Sequence, residues 1–551
     1  MAERRMSQMA VGASGEHFGA PGTPESLAAI VSGMSVIDAV QAAARLSVTL
    51  EQSDRGSTLE SQRDLIREIF PPDTAAAFEA DLAAGHEAGR YDALFFPGQL
   101  MALERLALAM GVEGPGTSFQ DGERVQDFVL AAAQVNDARD LLGASDPDKW
   151  DLVDMAMYAM RAAEINKTAS AVSVGGRAYR LWLTPTSDWP SGLETVDEYC
   201  LRNFGISAGL FSAIAMAPAL MLLDIKLSGA NPVFNTTSYF SETTVDPELA
   251  VAVLDQLTFQ PTRSDISGQE PTYWCFYDFA ETPLLPCGPD LLVPACLRFA
   301  IERATTGIFW MLHRDAGDHT GALTTHFGRM FESYCVEVTR PLSSPDLVVS
   351  GEVEYGRKAA RRKSSDVMIA VNHETRKARV FVECRAGRPP RAVFEVGDRT
   401  SFIAYVEDLK GKLRQLDRSI TDHRSGMFAI EGDEVPASAP YLPLLVLDEP
   451  FQWSIALRAL LDECIETEQL FRTDQVLLPM VCGLTEYEYM ISVAERGVLP
   501  VETALAELAF GAGDESLSAL VYRLTGPLFP PSYTRDGFEE YVRATRSHLF
   551  R

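Results

Sequence analysis

Residues 364–386 read SSDVMIAVNHETRKARVFVECRA, and this stretch decides the fold of the region around it. Two apolar runs flank the polar turn NHETRKA, a pattern that predicts two β-strands joined as a hairpin. A carboxylate, Asp366, opens the first run, Glu383 lies inside the second, and Arg385 follows two residues later. Because side chains alternate along a strand, Glu383 and Arg385 are expected on one face of the hairpin.

The sequence on both sides extends this hairpin into an α/β core over residues 325–450. Upstream, THFGRMFESYCVEVTRPL has helical apolar spacing and carries Glu332, and VVSGEVEYGR reads as a first strand. Downstream, AYVEDLKGKLRQLDRSIT predicts a helix, and YLPLLVLD reads as a strand that could complete the sheet. The predicted order is helix, three strands, helix, strand.

These residues in this order resemble the PD-(D/E)xK nuclease superfamily, which has the restriction-endonuclease-like fold. The family pattern is an acidic helix, then (S/P)-D before an apolar strand, then (D/E)-x-K in the next strand. The corresponding residues are Ser365 and Asp366, then Glu383, Cys384 and Arg385. Phe331-Glu332 is similar to the leading helix of the family and Gln415 to a glutamine on its following helix. The resemblance covers roughly residues 325–430.

The resemblance implies a metal-dependent nuclease that hydrolyses phosphodiester bonds of nucleic acid, with DNA favoured. Mg²⁺ (or Mn²⁺) prefers oxygen ligands, and Asp366 and Glu383 with the backbone carbonyl of Cys384 are the expected set. Glu332 is expected to support the metal site, and Arg385 to position water or phosphate. Defence against foreign DNA or DNA repair would be the biological setting.

Arg385 stands where the family usually has Lys, and this departure leaves three alternatives open. Arg385 could do the positioning itself, although arginine is a poor proton-transfer group. A lysine could reach in from elsewhere, with Lys363, Lys410 and Lys412 as candidates. Alternatively, the site is inactive, and the protein is a degenerate nuclease fold that binds nucleic acid or a protein partner without cleavage.

The acidic residues also have a purely structural alternative. A buried carboxylate in a strand can be an ion-pair partner, which would join Glu383 to Arg385 or Arg379 and Asp366 to Arg362.

Charge is distributed unevenly along the chain. The net charge of −29 argues against nucleic-acid binding by the protein as a whole. Residues 357–399, however, include twelve Lys and Arg residues and only five Asp and Glu residues. This basic island is expected to attract phosphate. The candidate nucleic-acid contacts are Arg362, Lys363, Lys410, Lys412 and Gln415.

The whole chain predicts a multidomain α+β protein with a mostly α-helical N-terminal region, the restriction-endonuclease-like α/β core and a helical C-terminal region. Residues 1–25 are expected to be a flexible tail and residues 26–230 an α-helical domain. Residues 231–324 predict a mixed connecting region with short strands and a helix, and residues 451–551 an α-helical region. A short apolar pair around GGRAYRLWLTP suggests a hairpin within the N-terminal part.

Several classes of protein are excluded or disfavoured by what the sequence lacks. It contains no GxxxxGK[ST] loop, no GxSxG elbow and no convincing GxGxxG after a strand. Eight scattered cysteines without a CxxC pair fit reduced thiols in a cytoplasmic protein. Gly205–Leu223 is apolar, but Pro218 favours a buried helix that is kinked or ended there over a membrane span. The acidic helical regions could bind a protein partner.

Overall fold

A computed structural model of the chain describes residues 15, 20–51, 62–64, 66–67, 72–88, 93–112, 122–137, 150–165, 170–184, 189–228, 233–260, 276–288, 290–357, 361–448, 455–510, 520, 526 and 529–550. Most of the predicted N-terminal tail lies outside these residues. Within them the protein is a mixed α+β structure in which helices cover both faces of a five-stranded sheet.

The N-terminal part is helical, as its Ala-rich amphipathic pattern predicts. Its helices are α1 (Pro24–Val31), α2 (Val36–Glu51), α3 (Pro72–Glu87), α4 (Pro97–Met110), α5 (Gly122–Asp137), α6 (Leu152–Ile165), α7 (Ala171–Ala178), α8 (Val196–Phe204) and α9 (Ala208–Ser228). Helices α1–α5 contribute to one apolar core that includes Leu46, Leu103 and Phe128.

The apolar stretch around Pro218 forms a buried helix, as predicted, but the helix does not end there. Helix α9 continues through Pro218 to Ser228, and its residues Phe211 and Ile214 are fully buried. Among the described helices, no single one is long and apolar enough to cross a membrane. The pair Val196–Phe204 and Ala208–Leu222, bent by 71°, meets that test only in combination.

The hairpin predicted around GGRAYRLWLTP is wrong. Helix α7 continues there into a π-helical turn, Tyr179–Leu183. A short apolar run does not by itself distinguish strand from buried helix. Gly176 permits the helix to approach its neighbour closely, since a Cβ at this position would lie 2.2 Å from the carbonyl oxygen of Thr534.

The connecting region contains short strands, as predicted, and several helices. Its elements are β1 (Phe234–Asn235), α10 (Thr236–Ser241), α11 (Pro247–Asp255), α12 (Tyr277–Glu281), β2 (Leu284–Pro286), β3 (Leu291–Pro294), α13 (Leu297–Ala304) and α14 (Thr306–Asp315). The three strands form an antiparallel sheet in the order β1-β3-β2.

The main sheet is built from strands that the sequence predicts and one that it does not. The helices and strands of this part of the chain are α15 (Thr320–Thr339), β4 (Leu347–Gly351), β5 (Glu354–Tyr355), β6 (Arg362–Lys363), β7 (Val367–Val371), β8 (Ala378–Arg385), α16 (Arg391–Glu395), α17 (Arg399–Arg424), β9 (Tyr441–Leu447), α18 (Ile455–Thr467), β10 (Met480–Gly483), α19 (Leu484–Glu495), α20 (Val501–Phe510) and α21 (Ser532–Leu549). The strand order is β10-β9-β8-β7-β4, and β5 pairs with β6 as a separate ribbon.

Strand directions divide the sheet into two parts. Strand β7 is antiparallel to both of its neighbours, β4 and β8, whereas β9 and β10 run parallel to β8. The C-terminal region, predicted as largely helical, also contributes β10 to the sheet; the four residues of β10 are too short a run for periodicity to reveal.

The helices α15 and α17, which carry candidate site residues, pack on opposite faces of the sheet. Alternate strand residues such as Val367 and Val382 pack in the same core as Phe331 of α15. The residues between them, including Met368 and Phe381, pack with α17 on the other face. The predicted order of helix, three strands, helix and strand is present over residues 320–447, but the β5–β6 ribbon is inserted after β4 and the short helix α16 precedes α17.

Candidate active site

Three carboxylates lie side by side where β4 and β8 end and β7 begins. Val367 pairs with Val382 and with Gly351 in the antiparallel ladders. Continuing both registers by one residue places Asp366 opposite Glu383 on one side and opposite Glu352 on the other. Residues directly opposite on antiparallel strands point to the same face. The fold therefore collects the three acids in a row, and we call them, with Glu332, the carboxylate cluster.

Asp366 and Glu383 form the buried centre of the cluster. Their exposed fractions are 3% and 0%. Asp366 Oδ2 accepts a hydrogen bond of 2.7 Å from the backbone N–H of Cys384, and the Glu383 carboxyl is close enough to donate to Asp366 when protonated. Glu383 Oε1, by contrast, has no hydrogen-bond partner within the described part of the chain. One buried oxygen is thus left available.

Lys412 supplies the cation nearest to this centre. Its Nζ lies 3.3 Å from Glu383 Oε2. Burial opposes the charged form of Lys412, but the Glu383 and Asp366 carboxylates more than offset burial and raise its pKa. Lys412 projects from α17, where Leu409 and Leu416 of the buried stripe precede it by three residues and follow it by four. The packing of that stripe directs Lys412 toward the sheet edge.

Burial and mutual repulsion raise the pKa values of the clustered acids. Burial, and then the Asp366 charge, raise the pKa of Glu383 to about 8. The same two causes raise the pKa of Glu332, which is half-buried on α15, to about 7. Burial also raises the pKa of Asp366. The charge of Lys412 does not compensate for the charges of these three acids.

Glu352 and Lys363 belong to the same site, and sequence reasoning missed Glu352. Lys363 Nζ lies 2.8 Å from Glu352 Oε1, and 58% of the lysine side chain is exposed. The charge of Glu352 acts on both Asp366 and Glu332. The residue is recognisable only through the β4–β7 register, which the intervening β5–β6 ribbon hides from sequence reasoning.

Arg385 is turned away from the cluster. Its guanidinium is hydrogen-bonded to Asp408 on α17 and lies across Gly387, where a Cβ would meet Arg385 Nη1 at 1.9 Å. The neighbouring Cys384 contributes its backbone N–H to Asp366, while its buried thiol faces Cys335. Ligation of a metal by the Cys384 carbonyl stays a prediction.

Of the other candidate contacts, Arg362 and Lys410 are paired with acids outside the cluster, whereas Gln415 lies on the side of α17 that carries Lys412. Arg362 Nη1 pairs with Asp422 at 2.8 Å, and Lys410 Nζ with Glu407 at 2.7 Å. Gln415 is half-buried three residues after Lys412, which places it on the same side of α17.

The structural alternative for the two acids is not supported by the partners it named. Arg379 pairs with Asp433 at 2.6 Å rather than with Glu383. Arg362 pairs with Asp422, not with Asp366. The acids of the cluster are therefore not the counter-ions of these arginines.

The cluster fits a divalent cation by chemistry and charge. Its four carboxylates and two lysines carry a net charge of −2 when all are ionised. No three His, Cys, Asp or Glu side chains among the described residues are grouped closely enough to hold a metal ion together. Mg²⁺ is commonly bound by one or two carboxylates, with water and phosphate oxygens completing the octahedron. Asp366 and the free Glu383 Oε1 meet that smaller requirement.

Comparison with known proteins gives no relative: no family model matches the chain, and neither a curated protein nor a solved structure is significantly similar to it.

Proposed function

We propose that the protein is a metal-dependent nuclease that hydrolyses phosphodiester bonds of nucleic acid, with DNA as the favoured substrate, at the carboxylate cluster. The observation that carries the proposal is the burial of Asp366 and Glu383 side by side with Lys412 in contact. Structural acids are seldom placed together in this way, because each raises the cost of ionising the other. The order of elements around the cluster supports the resemblance to the PD-(D/E)xK superfamily.

The residues at the cluster have different roles in the proposed hydrolysis. Asp366 and Glu383 would hold the metal ion, with Glu332 supporting them from α15. When bound, Mg²⁺ supplies a polarised water and offsets charge on the scissile phosphate. Lys412 holds the Glu383 carboxylate in place and stands where an ammonium can donate a hydrogen bond to water or phosphate. Lys412 thus takes the role that the resemblance assigned to the position of Arg385.

Cleavage of nucleic acid by the purified protein tests this proposal. Plasmid, single-stranded DNA and RNA are each incubated with Mg²⁺ or Mn²⁺ and with the Asp366→Ala and Glu383→Ala variants. We expect cleavage by the unaltered protein and its loss in both variants. The matched control is Glu407→Ala, which removes an acid of α17 outside the cluster. Cleavage that persists in both cluster variants would overturn the proposal, and binding without cleavage would favour the degenerate-nuclease alternative.

Lys412→Met tests the assignment of the lysine separately. General acid–base or electrostatic assistance by one side chain contributes roughly 10²- to 10⁴-fold to a rate. We expect a loss of this order in Lys412→Met, with little change in Lys410→Met, whose side chain lies on the other flank of the same helix. Equal activities of the two variants would refute the role of Lys412.

A further inference from the structure

We propose that Lys363 and Glu352 form an exchangeable ion pair, in which a phosphate of the bound nucleic acid takes the place of Glu352 on Lys363. Lys363 is then the substrate-binding lysine of the site, and Glu352 is the positioning residue that holds it ready in the free protein. This inference rests on the proposed function, because it concerns the substrate of the same site.

The two lysines of the site differ in their access to solvent. The Lys412 side chain is 21% exposed and bonded to a fully buried glutamate, whereas the Lys363 side chain is 58% exposed. A phosphate arriving from solvent can reach Lys363 without separating a buried ion pair. Separation of the Lys363–Glu352 pair costs less than separation of the Lys412–Glu383 pair, because both of its side chains are more accessible to water, which screens and solvates their charges.

The location of Lys363 connects it to the reaction centre. Lys363 ends the β5–β6 ribbon and is followed, three residues later, by Asp366. Its charge acts on Glu332, which in turn is close enough to Asp366 and Lys412 to feel their charges. A phosphate held by Lys363 would therefore lie at the edge of the carboxylate cluster.

Glu352 accounts for how an exposed lysine stays in place. Glu352 directly follows the last residue of β4. Its 2.8 Å contact therefore keeps the Lys363 ammonium next to the carboxylate cluster. The hydrogen bond to Glu352 is the main cause of the raised pKa of Lys363. Glu352 therefore positions the lysine but also competes with phosphate for it.

This competition predicts opposite effects of the two substitutions on binding. We expect Lys363→Ala to raise the Kd for nucleic acid about tenfold to a hundredfold, since a charge-assisted contact is lost. Glu352→Gln should lower the Kd, because the competing carboxylate is removed while the shape is kept. In the Lys363→Ala background, Glu352→Gln should have no such effect. Lys363→Arg should retain most of the affinity.

The experiment measures fluorescence anisotropy of labelled duplex DNA, single-stranded DNA and RNA in EDTA, which prevents metal-dependent cleavage. The salt dependence supplies a second readout: loss of one phosphate contact should reduce the slope of log K against log salt by about 0.9 on duplex DNA and about 0.7 on a single strand. Arg202→Ala and Glu194→Gln are the matched controls, because this pair has a similar contact of 2.7 Å and a similar exposure but lies outside the site.

The outcomes separate this inference from the proposed function. An unchanged Kd and salt slope in Lys363→Ala, or weaker binding in Glu352→Gln, would overturn the exchange while leaving the nuclease proposal standing. Failure of the unaltered protein to bind any of the three probes would overturn both. The probe that responds most strongly to Lys363→Ala identifies the kind of nucleic acid whose phosphate is held.

Discussion

Glu488 and Glu383 are both fully buried glutamates with a cationic partner, but their surroundings differ. Glu488 accepts two hydrogen bonds of 2.7 Å from Arg177 and one of 2.6 Å from the hydroxyl of Tyr334. Glu383 has a single lysine contact of 3.3 Å, one oxygen without a hydrogen bond in the described structure, and Asp366 beside it. The first arrangement satisfies a charge, whereas the second accumulates charge of one sign.

A structural buried acid differs from a functional one in how completely its partners satisfy its charge. The hydrogen bonds of Glu488 connect α7, α15 and α19, since Arg177, Tyr334 and Glu488 lie on these three helices. At Glu383 the fold places acids next to each other and leaves an oxygen unused, which costs stability and is retained where chemistry needs it.

The largest effect on stability is expected at Glu488. Glu488→Ala leaves Arg177 buried without its counter-ion, and loss of one partner of such a pair typically costs about 3–5 kcal/mol. Urea unfolding should show this decrease in the free energy of unfolding. Glu468→Ala, which removes an exposed partner of Arg414, is the control and should cost at most about 1 kcal/mol. A small effect at Glu488 would erase the contrast with Glu383.

The second prediction concerns the pH dependence that Glu383 produces. Its pKa is about 8 in the folded protein and about 4.5 for an ordinary glutamate. A raised pKa means that the stability contribution is complete below pH 4.5 and is lost as the pH rises through 8. Between pH 6 and pH 9 the unaltered protein should therefore lose free energy of unfolding, on the order of 1–3 kcal/mol.

Glu383→Gln provides the test of that pH dependence, because glutamine does not titrate. The variant should show a flatter profile over the same range than the unaltered protein. Parallel profiles of Glu383→Gln and the unaltered protein would show that Glu383 does not carry the raised pKa.

The third prediction uses a divalent cation as the missing counter-charge. Binding to the folded state alone stabilises a protein by about 1.4 kcal/mol when the free cation is at ten times its Kd. Mg²⁺ or Mn²⁺ at pH 8 should raise the urea midpoint of the unaltered protein and have less effect on Asp366→Asn. The Glu488 network, whose charge is already paired, should make no contribution. Equal stabilisation of both proteins would place the cation elsewhere.

Much of the sheet and its two flanking helices was predictable, because their apolar patterns are long and strongly periodic. The hairpin around NHETRKA and the helix containing Lys412 are confirmed as β7, β8 and α17. Strand β10 and the turn at Tyr179–Leu183 escaped prediction because short apolar runs fit strand and helix equally well. The comparisons with known proteins do not test the resemblance to nucleases, which stays a proposal.

The site was predictable only as far as local spacing reaches. Lys410 and Lys412 lie on opposite flanks of the buried stripe of α17, and the sequence does not reveal which flank faces the sheet edge. The packing of Phe471 against the Lys410 side, where its N–H donates to Asp417, and of Ser365 against Ser419 on the other side resolves this choice. The place of Glu352 in the site was unpredictable for a similar reason, because it depends on a strand register that tertiary structure sets.

The smallest effect is expected at Arg385, where the resemblance would place a large one. The Arg385 side chain is 26% exposed and its partner Asp408 is 48% exposed, so Arg385→Ala should cost at most about 1 kcal/mol of stability. Because the guanidinium points to Asp408 rather than to Glu383, cleavage should fall by less than about tenfold, well short of the usual contribution of a proton-transfer residue. Asp408→Asn, which releases Arg385 from its partner, is the matched variant. A loss of cleavage in Arg385→Ala as deep as in Lys412→Met would show that Arg385 leaves Asp408 and joins the site when substrate binds, and the two cations would then have to be assigned their roles anew.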